Sequence, residues 1–130
     1  MNPTTTKANR EASHLRQALS RLRDEFAPLV QALLGREPLV RGSVYPLRRK
    51  CGKPSCACAS GKKLHSCMAI TWTVGGRKRL RSLSPKEEME LRRLTENYRR
   101  FRQARSQLVA LYAKLLEVID QLEIARCREP

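Results

Sequence analysis

The sequence predicts an α+β fold, mainly α, with a small β module carried between two helices. Three observations support this. Apolar residues near the N-terminus recur at helical spacing. A β-branched stretch, Ala69 to Val74, runs into Gly75–Gly76. After Pro85 no Gly or Pro appears until Pro130, and leucines repeat every seven residues along that stretch. The 130 residues suit one domain with extensions. Only 5% of residues are aromatic and the mean hydropathy is −0.54, so any core is thin. Small modules of this kind often need a metal, a disulfide or oligomerisation.

Residues 1–6 read as a frayed tail and 7–35 as the N-terminal helix. Leu15, Leu19, Leu22, Phe26, Leu29 and Leu33 step by 4, 3, 4, 3 and 4 along it. Pro28 inside the stripe predicts a kink or a detached last turn. Gly35 reads as the stop. The β module occupies 36–83. Ser43–Leu47 is a short strand, Ala69–Val74 a second, and Arg77–Leu83 a third after a Gly75–Gly76 hairpin turn. Along the third strand one face can pack beneath the module while the other turns arginines outward.

The second helix covers 84–126, followed by a tail over 127–130. Ser84, Pro85 and Glu87 form a capping signature, and Glu87, Glu88 and Glu90 suit the helix dipole. Leu94, Phe101, Leu108, Leu115 and Leu122 form its seam, with Leu91, Tyr98, Arg105, Tyr112 and Ile119 at companion positions. At ~60 Å it outruns the β module. The expectation is therefore an antiparallel coiled-coil hairpin with the first helix, leaving some stripe for a homodimer or another protein partner.

The chemistry concentrates in CGKPSCACASGKKLHSC, residues 51–67. Cys51, Cys56, Cys58 and His65 offer three thiolates and an imidazole separated by turn residues, a donor set that suits tetrahedral Zn²⁺. With Cys67 in place of His65 the set becomes all-thiolate. The module is then zinc-ribbon-like. Four protein ligands leave no open position for water, so such an ion holds a loop and does no catalysis. Five cysteines are an odd number for a disulfide framework. No signal peptide or membrane-spanning stretch is read in the sequence, so the expected compartment is the reducing cytoplasm, nucleoid-associated if the chain binds DNA. Cys127 reads as the end of the apolar seam and His14 as a surface residue.

The segments RGSVYPLRRKCGKPSCACASGKKLH, GGRKRLRSLSP and ENYRRFRQ resemble an uncharacterised prokaryotic family of small basic proteins often encoded near mobile elements. Its hallmark is C-G-K-P-x-C-x-C followed by a His, and the likeness covers about residues 41–105. The resemblance implies a zinc-binding module with Cys51, Cys56, Cys58 and His65 as ligands, and no assigned activity. The family usually follows its His with Gly-Pro-aromatic, whereas Ser66, Cys67 and Met68 follow here. The fourth ligand thus stays open between His65 and Cys67.

Net charge is +15, and its placement is uneven. Arg36 to Arg81 holds twelve bases and one acid, Glu37, while the flanking segments are nearly balanced. Such focusing predicts a surface for a polyanion. Arg48, Arg49, Lys50, Lys53, Lys62, Lys63, Arg77, Lys78, Arg79 and Arg81 are the expected phosphate contacts. Few aromatics are available for stacking, with Trp72 read as core, which ranks duplex DNA ahead of RNA. Aspartate occurs only at Asp24 and Asp120, and no nucleophile–base pair or phosphate-binding loop is visible. The expected function is therefore non-catalytic nucleic-acid binding. The alternatives are a coiled-coil adaptor in a mobile-element or nucleic-acid-processing complex, and an RNA-binding protein.

Overall fold

The computed structural model describes residues 3–130. In chain order the elements are α1 (Pro3–Leu33), β1 (Ser43–Arg49), a 3-10 turn (Ala57–Ser60), β2 (His65–Val74), β3 (Arg77–Leu83) and α2 (Pro85–Arg126). They divide into two compact units, one of Arg36–Arg99 and one of the chain up to Gly35 together with Arg100–Pro130. Two helices flanking an antiparallel sheet make the fold α+β, as expected.

In the first unit the three strands pair in the order β1-β2-β3, all antiparallel. Val74 opposes Arg77 across a two-residue turn. Gly75 and Gly76 there have φ of 56° and 78°, the doubly positive conformation that closes tight hairpins and that side chains disfavour. Alternation along the strands separates two faces. Val44, Met68, Ile70, Trp72 and Leu83 share one face with Arg77, Arg79 and Arg81, as cross-strand register requires. Tyr45, Leu47, His65, Cys67, Ala69 and Leu80 share the other.

The beginning of α2 lies along the first face. Arg81 pairs with Glu87, Arg92 reaches the Met68 sulfur at 4.0 Å, and Ile70, Leu83, Leu94 and Thr95 are buried. The segment before β1 is tied to the same helix, with the Val40 N–H donating to the Leu94 carbonyl at 3.2 Å. Gly42 is then pressed against β2. A Cβ at this position would come within 2.8 Å of the Thr71 carbonyl oxygen, so the close approach needs glycine. One expectation is corrected here. The arginines of β3 share the face that carries α2, and Leu80 sits exposed on the opposite one. The reason is register. Leu83 must meet Met68 beneath α2, and a period of two then carries Arg81, Arg79 and Arg77 to the same side.

The start of α2 follows its sequence signature. Ser84 accepts from the Glu87 N–H at 3.3 Å, and its hydroxyl donates to a Glu87 carboxylate oxygen at 3.0 Å. Arg81 and Ser84 hold the Glu87 carboxyl below its ordinary range.

The second unit is helical. Ala104 and Leu111 are buried, and Leu108, Leu115, Val118, Leu122 and Ala125 are partly covered. Ala12 is buried on α1, with Leu15, Leu19, Leu22, Leu29 and Leu33 half-buried. Glu25, Pro28 and Leu29 line a groove with Gln107, Ala110, Leu111 and Lys114, which sets this stretch of α1 beside the middle of α2. The seam differs from the expected one. Its second row lies three residues after the leucines, at Ala104, Leu111, Val118 and Ala125, while Tyr112 and Ile119 are exposed. Alanines mark part of that row, and they contribute little to a count of large apolar residues.

The ends of α1 also differ. Residues 3–6, expected in the tail, are already helical, while residues 1–2 of that tail lie outside the described residues. The helix runs through Pro28 without splitting off a last turn and stops at Leu33. Gly35 is not among the glycines with positive φ, so it does not cap the helix in the left-handed form.

Candidate metal centre

Two structural devices bring the donors together. The first is the β1–β2 ladder. Arg49 opposes His65, so Cys51 leaves the end of β1 beside the start of β2. The second is a run of tight turns between the strands. The Cys56 N–H donates to the Lys53 carbonyl at 3.1 Å across a turn holding Pro54, and Gly52 has φ of 85°. Cys56 then precedes the 3-10 turn, in which the Ala59 N–H bonds the Cys56 carbonyl at 3.0 Å and the Gly61 N–H bonds the Cys58 carbonyl at 2.9 Å. Gly61 closes the turn in the left-handed region, with φ of 82°.

The donor atoms of Cys51, Cys56, Cys58 and His65 all lie within 4.8 Å of one another. Cys58 and Cys51 sulfurs are 3.4 Å apart, and the Cys56 sulfur is 3.3 Å from His65 Nε2. A tetrahedron with sulfur at ~2.3 Å and nitrogen at ~2.0–2.1 Å from its centre has edges of about 3.5–3.8 Å. The two closest spacings fall a few tenths of an ångström short of those edges, and the remaining donors lie within 4.8 Å. They far exceed the ~2.05 Å of a disulfide, and all five cysteines are free. Three soft thiol donors with one imidazole suit Zn²⁺ and disfavour hard cations. The four residues could therefore bind a metal ion.

Electrostatics prepares the site. The Cys58 backbone N–H, His65 and the neighbouring thiols bring the Cys56 thiol from 9.0 down to about 6. The Cys51 N–H, 3.3 Å from the Cys58 sulfur, pulls that thiol down. Burial and the adjacent thiols outweigh it and push Cys58 up. Cys58 is the only one of the four that is fully enclosed, at 1% exposure. The lowering at Cys56 thus comes from local hydrogen bonds and not from the lysines and arginines nearby.

Cys67 stands apart from the cluster. It lies two residues along β2 from His65, and its sulfur faces the Ser82 hydroxyl at 3.8 Å. Cys127 is exposed just past the end of α2, where it lines a groove with Ile119 and Leu122. His14 is exposed, as expected.

The structure separates the ten expected phosphate contacts. Arg48, Arg49, Lys50, Lys53, Lys62 and Lys63 surround the cluster at one end of the sheet, all exposed. Arg77, Lys78 and Arg79 lie by the glycine turn at the other end, ~30 Å away at the rise of an extended strand. Arg81 is bound to Glu87. A further feature escaped sequence reading. Arg41 stacks over Tyr98 at 5.5 Å and its Nε donates to the Tyr98 hydroxyl at 3.0 Å. With Trp72 and Lys78 these residues line a shallow pocket, so Trp72 is half-buried at a rim and not core. Nothing local signals this, since Arg41 and Tyr98 are 57 residues apart.

Fold and site together define a class: a small three-cysteine, one-histidine knuckle on a three-stranded sheet, flanked by helices. The chain belongs to the family described as Domain of unknown function (DUF6788), which matches residues 13–93 and so includes the whole cluster. No curated protein and no solved structure matches the chain. No helix among the described residues is long and apolar enough to cross a membrane.

Proposed function

We propose that the protein is a non-catalytic, zinc-stabilised nucleic-acid-binding protein, with duplex DNA as its target ahead of RNA. Zn²⁺ held by Cys51, Cys56, Cys58 and His65 would fix the knuckle as a zinc-ribbon-like module. The helices would form the antiparallel coiled-coil hairpin that carries it. The observation behind this reading is the focusing of exposed cations around the cluster, within a stretch, 38–86, that contains no acid. On and beside α2, Arg81, Arg92, Arg93 and Arg99 each meet a carboxylate, at Glu87, Glu88, Glu37 and Glu96. Glu37, the sole acid of the basic third, is thereby occupied. The six cations around the cluster have no ion pair among the described residues. Cations concentrated on one knuckle favour an external polyanion.

The test is metal analysis together with duplex-DNA binding across a salt series. Stoichiometric zinc is expected, with log K falling against log salt at a slope of about −5 if all six cations meet phosphates. Replacing Lys62 and Lys63 by alanine should flatten that slope by about 2. Affinity that ignores salt, or a Lys62→Ala/Lys63→Ala slope equal to wild type, would reject the phosphate model. Stronger binding to single-stranded RNA than to duplex DNA would reassign the target.

A further inference from the structure

Within the helical unit, α2 has a second apolar stripe outside its covered rows. Val109, Tyr112, Leu116 and Ile119 are 61%, 61%, 45% and 44% exposed. Each follows by one residue a member of the covered rows, Leu108, Leu111, Leu115 and Val118. The stripe is therefore turned about 100° around α2 from those rows. Its steps of 3, 4 and 3 have the period of a coiled-coil seam. Continued in the same register, the seam reaches Arg105 and Arg102 in one direction and Glu123 and Arg126 in the other.

We propose that this face binds a second copy of the chain, α2 against α2, antiparallel about a twofold axis near Lys114. The sequence is self-complementary in that arrangement. Val109 meets Ile119 of the other copy and Tyr112 meets its Leu116, and symmetry repeats both layers to give four. At each end Arg105 meets Glu123, opposite charges closing the apolar layers. One layer further, Arg102 meets Arg126, and like charge ends the seam there. Ala113 flanks the axis, where a small side chain lets two helices approach. A parallel, in-register pair would instead set Arg105 on Arg105 and Glu123 on Glu123, so charge selects the antiparallel form. The paired stretch of α2 is ~27 Å long. This inference does not depend on nucleic-acid binding.

The experiment is sedimentation velocity of the full, zinc-supplemented chain from roughly 1 to 300 µM, a range that resolves moderate self-association. A monomer–dimer equilibrium is expected. Arg105→Glu and Glu123→Arg should each weaken it about tenfold or more, and the double exchange should restore it. Tyr112→Glu should abolish it. Because all these residues are exposed, far-UV circular dichroism should stay that of wild type. A wild-type chain that remains monomeric, including one that captures a different protein on this face, overturns the proposal. So does a dimer indifferent to the single exchanges, or one that the double exchange fails to restore.

Discussion

The two compact units hold themselves together by different means. The helical unit repeats one solution along its length, leucine and alanine every three or four residues, and each layer resembles the next. The sheet unit has no repeat to rely on. Its buried residues are gathered at one place, with Ala69, Ile70, Leu83, Leu94 and Thr95 around the sheet, and only Cys58 is buried in the knuckle; in the helical unit Ala12, Ala104 and Leu111 are buried. Residues 50–64 carry almost no apolar side chain that could fold them, Leu64 being half-buried. The helices and the sheet bury apolar side chains of their own, whereas the knuckle has little beyond Cys58 and its cluster of donors.

The largest effect that could break this contrast is at Cys58. Cys58→Ser should remove stoichiometric zinc, and backbone amides of residues 51–64 should lose about 100-fold or more of their hydrogen-exchange protection. Amides of α1 should keep theirs. Equal loss in both regions would show that the two are not independent. The converse change is Leu111→Ala. A buried leucine truncated to alanine costs about 2–4 kcal/mol, to be seen in denaturant melts followed by helix signal, with zinc content unchanged. Zinc release by this variant would end the distinction from the other side.

The smallest effect refines the boundary at the start of α2. Arg81 and Ser84 depress the Glu87 carboxyl, so the folded state binds its proton less readily than the unfolded state. That contribution is fully present above the ordinary value of 4.5 and fades as pH falls through the depressed one. The stability gap between wild type and Glu87→Gln should therefore narrow from pH 6 to pH 3. A gap constant over that interval would show that the Arg81 contact carries no linkage.

Much of the fold was legible because local chemistry and tertiary role coincide. Ser84–Pro85–Lys86–Glu87 starts α2 where its caps say, and Gly75–Gly76 turns the hairpin where two positive φ angles are needed. The cysteines and His65 could be read because metal donors are scarce and their spacing is short. What could not be read depends on distant partners. The covered row at Ala104, Leu111, Val118 and Ala125 does not follow which residues are largest, since two of its members are alanines. The arginine face of β3 follows from Leu83 meeting Met68. Cys67 falls outside the cluster because two residues along a strand move a sulfur by ~7 Å, a distance that sequence proximity conceals.

The pairing of Arg49 with His65 has one more consequence. It makes the knuckle the loop of a wide hairpin, with one donor on a strand and three on the loop. If β1 and β2 aligned one residue out of step, every side chain of β2 would change faces, and Ser66 would stand where His65 belongs. Against that one-residue slip, the native alignment alone completes four donors. An ion bound there would then act as a proofreader of strand alignment, rewarding the native register and leaving its nearest competitor one ligand short.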